Sequence, residues 1–248
     1  MPLRVHQFPC LDDNYGFLIR DERSGDVACI DTPDPDVILR EAQALGWTIK
    51  WILNTHWHPD HAGGNAAIRA ATDARVIAPV EVTRVSGVDV VVRGGDHVRV
   101  GDSVLEVLDC GGHTLEHVAF HAREDGLLFV GDTLFPMGCG RLFEGTPAQM
   151  WRSLSSLIVL PPETRVYAAH EYALGNARFA VSVDKDATVM QRAAEVEAMR
   201  ASGIPTVPTT IGLEVRTNPF LRLPLLLCET EQVEGFAKVR RAKDDFKL

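Results

Sequence analysis

The stretch Asn54-Thr55-His56-Trp57-His58-Pro59-Asp60-His61 sets three imidazoles and a carboxylate within six positions, directly after the apolar run Trp51 to Leu53. A buried strand that releases four metal-ligand side chains at its end narrows the folds open to the chain. Such donors are useful only where other strand ends converge on them, as they do in sheet proteins with helices outside. Histidines at i and i+2 of an extended or looped segment point the same way and clasp one ion, while the adjacent Asp60 and His61 turn toward a second. Gly63 and Gly64 let the backbone pass close beneath, and a helix from Asn65 brings a positive dipole end near.

Three further apolar runs end in donors. VLEVLD leads into CGGH with His113, LLFV into GDT with Asp132, and VYAA into HEY with His170. Together the four runs deliver His56, His58, Asp60, His61, His113, Asp132 and His170. Seven donors suit two divalent ions that share one carboxylate and a water, whereas a single zinc needs three or four. Other residues read less sharply. His6, His97 and His121 are isolated and read as surface or core residues. His117 reads as a polar residue at a strand start, with an outer role beside the ligands as the alternative. Asp31-Thr32 either orients ligand histidines or begins the next helix.

The first two thirds of the chain alternate short β-like runs with turns and a few helices. Strands are expected at 17–21, 27–31, 50–55, 75–78, 103–110, 117–122, 127–133 and 165–170, and helices at 35–45, 65–71 and 147–160, the last started by Thr146 and stopped by Pro161. Beyond roughly Tyr172 the pattern turns helical: 173–184, 187–203 and, after a Pro-containing loop, 230–246. This predicts an α/β domain followed by a smaller helical one.

Composition excludes several classes of function. Across 248 residues, 34 acidic against 25 basic side chains give a net charge of −9, which argues against binding a phosphate backbone. The basic cluster of Lys238, Arg240, Arg241, Lys243 and Lys247 is the local exception. No run approaches the ~20 apolar residues of a membrane span. Five cysteines in no paired spacing, and a first segment that does not read as a secretory or transit peptide, lead us to expect a reducing, cytoplasmic setting.

The run Thr55-His56-Trp57-His58-Pro59-Asp60-His61, followed by His113, Asp132 and His170, resembles the metallo-β-lactamase superfamily. Within it, GDTLFPMGCGRLFEGT (131–146), AAHEYALGNARFA (168–180), TNPFLR (217–222) and RRAKDDF (240–246) are similar to the glyoxalase II (hydroxyacylglutathione hydrolase) family. The resemblance implies an αββα sandwich over 1–172, followed by a small helical glutathione-binding domain over 173–248. It also implies that His56, His58 and His113 hold one metal, that Asp60, His61 and His170 hold another, and that Asp132 bridges them. Asp60 and Asp132 thereby become the carboxylates on which catalysis depends. Zinc is the first choice of ion, with iron or manganese as alternatives.

The same resemblance assigns glutathione contacts to Arg141, Phe143, Tyr172, Arg240 and Lys243, where cationic side chains suit a substrate with two carboxylates. The expected reaction is hydrolysis of S-D-lactoylglutathione to D-lactate and glutathione, the second step of methylglyoxal detoxification, by a monomer. The alternatives are another thioesterase or lactonase of this fold, or a persulfide dioxygenase. The sequence departs from the family pattern at Trp57, Pro59, Gly111-Gly112 and Glu116, and at Phe143, where a tyrosine is usual.

Overall fold

The structure, a computed structural model, describes residues 3–247. These fall into two compact units, one of residues 3–109 with Glu116–Gly131 and the other of Cys110–Leu115 with residues 132–247.

The first unit holds strands β1 (Leu3–Cys10), β2 (Asn14–Asp21), β3 (Val27–Ile30), β4 (Ile49–Leu53), β5 (Arg75–Ala78), β6 (Val90–Val91), β7 (His97–Val100), β8 (Ser103–Asp109), β9 (Val118–Ala122) and β10 (Leu127–Gly131), with helices α1 (Pro35–Ala44), α2 (Pro59–Ala62) and α3 (Asn65–Thr72). The strands β1 to β6 form one sheet in chain order. β1, β2 and β3 are antiparallel neighbours, and β3, β4, β5 and β6 are parallel. All four residues of β3 are buried, as expected of a parallel strand covered on both faces. The strands β7 to β10 make an antiparallel meander.

Alternation along β2 sets the layers. Leu18 packs in a cluster with Ile38 and Ala42 of α1, Ile68 of α3, and Ile52 and Val76 of the sheet. Phe17, its neighbour on the opposite face, meets Phe129 of β10 edge-on at 5.8 Å. One face of the sheet is thus roofed by helices and the other backs onto the meander. Fully burying each Leu or Ile stabilises by about 1.5–3 kcal/mol. Helix α1 starts where the Asp34 carboxylate accepts from the Asp36 and Val37 amides, with Pro35 at its first position.

The parallel register opposes Ile30 with Leu53. Asp31 and the Asn54–His56 run therefore leave the sheet side by side, and this places the donor segment.

The second unit contains the hairpin β11 (Leu134–Phe135) and β12 (Gly138–Cys139), α4 (Pro147–Leu157), the antiparallel pair β13 (Arg165–Ala168) and β14 (Thr209–Thr210), and helices α5 (Ala173–Val183), α6 (Ala187–Ala201), α7 (Ile211–Thr217), α8 (Pro219–Leu225) and α9 (Gln232–Asp245). Small residues of α5 and α6, among them Ala177, Ala180 and Ala193, let these helices pack closely with Met137. Thr146 caps α4 by accepting from the Gln149 amide.

The expected strands and helices are present with ends shifted by a few residues, but the order is richer than the sequence suggests. β1 was not foreseen, and the Pro-containing stretch after α6 is not all loop. Pro219 occupies the first position of α8 and Pro224 its last turn, so residues read as breakers serve a helix start and end. The compact units partition the chain differently from the division after Tyr172. Among the described residues, no helix is long and apolar enough to cross a membrane.

Candidate active site

In the first unit the donor segment is held from behind by a buried polar network. Asp31, with φ of 55°, accepts the Thr55 amide on Oδ1 at 2.7 Å and the Thr55 hydroxyl on Oδ2 at 2.8 Å. His61 Nδ1 lies 2.8 Å from the same Oδ2. A carboxylate only accepts, so Nδ1 of His61 carries the proton and Nε2 presents its lone pair. The Thr55 hydroxyl has spent its hydrogen on Asp31, so it accepts from Nδ1 of His56 at 3.0 Å, and Nε2 of His56 also faces outward as a lone pair.

The His61 backbone is pinned as well: its carbonyl accepts from the Asn54 side chain at 2.7 Å and the Thr32 amide at 2.8 Å. Gly64 fits closely here, because a Cβ would come within 2.6 Å of the Thr32 carbonyl oxygen. Of the two readings of Asp31-Thr32, the orienting one matches this geometry, since α1 begins only at Pro35 with Asp34 as its cap.

The four donors of this unit stand close together. His56 Nε2 and His58 Nδ1 are 3.1 Å apart, and His61 Nε2 and Asp60 Oδ2 are 3.4 Å apart. Asn14, at the start of β2, donates to Asp60 Oδ2 at 3.1 Å, a role no sequence signal announced. His117 is buried and stacks on His56 with ring centroids 4.6 Å apart, so it belongs to the surroundings of the donors rather than to a bland strand start. His6 pairs with Glu41 near the surface, and His121 is buried beside Glu106, as isolated histidines should be.

The second unit carries the other three donors. His113 Nδ1 donates to the Arg141 carbonyl at 2.7 Å, which leaves its Nε2 lone pair aimed at Asp132 Oδ2, 3.4 Å away. His170 Nε2 approaches the other Asp132 oxygen, Oδ1, at 3.3 Å. Asp132 thus offers one oxygen to each histidine, an arrangement open to a carboxylate shared between two ions. The loop 110–115 that carries His113 is tied down by Ser153, whose hydroxyl donates to the Gly111 carbonyl at 2.6 Å, and by Gln149, which donates to the Leu115 carbonyl at 2.9 Å.

These spacings test whether metals fit. Two donors about 2.0–2.1 Å from one ion at tetrahedral angles lie about 3.3–3.4 Å apart. The His113–Asp132, His170–Asp132 and His61–Asp60 separations match that value, and the histidine tautomers set by Asp31, Thr55 and Arg141 leave the ligating nitrogens deprotonated. The donor set fits divalent metal.

A cavity of about 450 Å³ opens beside Asp132 within the second unit. All five residues expected to touch glutathione line it: Arg141, Phe143, Tyr172, Arg240 and Lys243. Tyr172 stacks flat on His170 at 4.7 Å, and Phe143, 60% exposed, stands edge-on to His113. Arg240 donates to the Cys139 carbonyl at 3.1 Å and to Asp244 at 2.8 Å. The Lys243 ammonium donates to the Gly175 carbonyl at 3.0 Å. Burial, reinforced by the positive charges of Arg240 and Arg141, holds the Lys243 pKa down at about 8.

Phe135, Cys139, Glu171 and Asn176 also line the cavity and were not assigned a substrate contact from sequence, although all four lie in the motif stretches quoted above. Burial pushes the Cys139 thiol up to about 11, so it is a packing residue and not a nucleophile.

Comparison with known proteins places this geometry in a family. Residues 17–170 match the metallo-beta-lactamase superfamily, and residues 171–246 match the hydroxyacylglutathione hydrolase C-terminus. The chain is 52% identical over 250 residues to a hydroxyacylglutathione hydrolase of Erythrobacter litoralis, covering 98% of this chain and all of that one. It is 54% identical over 253 residues to one of Maricaulis maris, covering 98% and 99%. Among solved structures, ETHE1 from Myxococcus xanthus aligns with a TM-score of 0.71 at 28% identity, over 96% of this chain and 90% of that one. The likeness runs the length of the sequence, through the donor motif and the C-terminal helices alike, and the chain belongs to the hydroxyacylglutathione hydrolase family of the metallo-β-lactamase superfamily.

Proposed function

We propose that this protein hydrolyses 2-hydroxyacyl glutathione thioesters, S-D-lactoylglutathione first among them, to the hydroxy acid and glutathione. The observation that carries the reading is the lining of one cavity by the metal donors His113 and Asp132 and by the cations Arg141, Arg240 and Lys243. Carboxylate-binding charge and hydrolytic donors then serve opposite ends of a single substrate.

In this reading His56, His58 and His113 hold one divalent ion, Asp60, His61 and His170 a second, and Asp132 bridges the two. Zinc is the first candidate, ahead of iron and manganese. When bound, such a pair supplies Lewis acidity, lowering the pKa of water toward neutrality and polarising the thioester carbonyl. The chain's own residues do the rest. Asp31, Thr55 and the Arg141 carbonyl fix the histidine tautomers. Asn14 holds Asp60. Arg141, Arg240 and Lys243 take the carboxylates of the glutathione half by charge-assisted hydrogen bonds, and Tyr172 and Phe143 flank the path to Asp132. Glutathione leaves as a thiolate, whose ordinary pKa of about 8.5 makes it a good leaving group without a positioned acid.

The reading assigns 1–172 to the catalytic domain and 173–248 to the glutathione-binding domain. It describes a monomer working in the cytoplasm, a setting that suits five free cysteines. The test is release of thiol from S-D-lactoylglutathione by metal-loaded protein. A kcat/KM of about 10⁴ M⁻¹s⁻¹ or more supports it. Background turnover with two metals bound overturns the substrate and points to other thioesters or lactones.

A further inference from the structure

The motif Thr217-Asn218-Pro219-Phe220-Leu221-Arg222 contributes to the family resemblance, yet none of its residues lines the cavity. Its Asn218 is fully buried, and both ends of its side-chain amide are engaged. Oδ1 accepts from the Phe220 amide at 3.0 Å and caps α8. Nδ2 donates to the carbonyls of Phe135 at 3.1 Å and Gly138 at 2.9 Å, and to Glu214 Oε2 at 3.0 Å.

Phe135 and Gly138 flank the turn of the β11–β12 hairpin, and the rest of that turn is held in the same way. Glu214 Oε2 accepts the Met137 amide at 2.8 Å, and Asn176 donates to the Pro136 carbonyl at 3.2 Å. Glu214 is itself held by the Thr209 hydroxyl at 2.6 Å. Four consecutive residues, Phe135 to Gly138, therefore have backbone groups bonded to the buried side chains of α5, α7 and the α7–α8 junction.

The hairpin needs such fastening. Each of its strands is two residues long, far too short to be stable alone. Met137, with φ of 57°, sits in a left-handed conformation that costs a residue with a Cβ and persists only where the surroundings impose it. The hairpin nevertheless carries cavity surface: Phe135 packs edge-on against Tyr172 at 5.3 Å, and the Cys139 carbonyl anchors Arg240.

We propose that Asn218 and Glu214 are positioning residues for substrate binding, fastening the turn Phe135–Gly138 so that Phe135, the Cys139 carbonyl and the Arg240 it anchors meet the glutathione half in a preformed arrangement. The proposal rests on the cavity taking a glutathione thioester. Loosening the turn adds an ordering cost to binding and leaves the reacting end untouched, so the loss falls on KM rather than kcat.

Two variants test it, each with S-D-lactoylglutathione kinetics, metal content and amide hydrogen exchange over residues 134–139. Asn218→Ser keeps a capping oxygen for α8 but is too short to reach the Phe135 and Gly138 carbonyls. Glu214→Gln is isosteric and replaces one acceptor oxygen by a donor. The expected result is faster exchange at Met137 in both, with KM raised about tenfold in Asn218→Ser and less in Glu214→Gln, and with kcat and metal content kept. Unchanged exchange, faster exchange at unchanged KM, or a fall in kcat at unchanged KM overturns the proposal. A failure of the substrate reading looks different: the wild-type protein itself then leaves the thioester intact, while exchange at Met137 still reports whether the turn is fastened.

Discussion

The Asp31 carboxylate governs two histidines at once: it accepts a hydrogen bond from Nδ1 of His61 directly at 2.8 Å, and it fixes His56 through the Thr55 hydroxyl, which donates to Asp31 at 2.8 Å and accepts from His56 at 3.0 Å. One buried side chain therefore sets the tautomer of two rings proposed to hold metal. Asp31→Asn is the informative substitution, because asparagine tolerates the left-handed backbone at this position while the charge is lost. Metal affinity is expected to fall about 10–100-fold, read as chelator competition followed by metal analysis, with the fold retained by circular dichroism. Unchanged affinity would remove Asp31 from the metal site.

Asp132 faces His113 with one oxygen and His170 with the other. Asp132→Asn leaves one carbonyl oxygen and one amide where two anionic oxygens stood. Bound metal is expected to drop below two ions per chain and kcat/KM to fall about a hundredfold or more, since a direct donor matters at least as much as an outer partner. Full metal occupancy with normal turnover counts against bridging.

Lys243 links pH to substrate binding. Its pKa in the folded protein is held down to about 8, so its positive charge is lost as pH rises through that value. KM for the anionic substrate is expected to rise between pH 7 and 9, and Lys243→Arg, which cannot deprotonate in this range, to flatten the profile. The stability effect has the opposite sense. Below about 8 the lysine is charged in both states, and the full penalty of burying it weighs on the fold. Between about 8 and the unfolded value near 10.5 the unfolded chain binds more protons, so this penalty is relieved as pH rises. Thermal melts of wild type and Lys243→Arg across that range check it.

Phe143 stands where the family resemblance leads one to expect a tyrosine. The residue is 60% exposed, so an added hydroxyl competes with water for any contact. Phe143→Tyr is expected to lower KM only about two- to threefold, the low end of the roughly 0.5–1.5 kcal/mol of a hydrogen bond, without change in kcat. A tenfold gain would mean the ring is covered when substrate binds.

The donors were legible as a pattern because each follows an apolar strand, β4, β8, β10 or β13, and the end of a buried strand leaves the next side chains few directions in which to point. The cavity residues were legible only through resemblance: Arg141, Arg240 and Lys243 are far apart along the chain and show no periodicity. What periodicity could not reveal were polar contacts across long sequence separations. Asn14 reaches Asp60 and Asn218 reaches Phe135, and nothing local distinguishes these asparagines from turn residues. The helices α7 and α8 were hidden for a related reason, since Pro219 and Pro224 mark termini as readily as breaks.

The segment Cys110–Leu115 belongs to the second unit although both its chain neighbours belong to the first. During vectorial synthesis, Asp31, Thr55 and the four donors from His56 to His61 all emerge early and with their orienting partners in hand. His113 emerges before Arg141, Gln149 and Ser153, which hold its loop, so the nascent chain presents one finished donor group while the other still awaits its anchors.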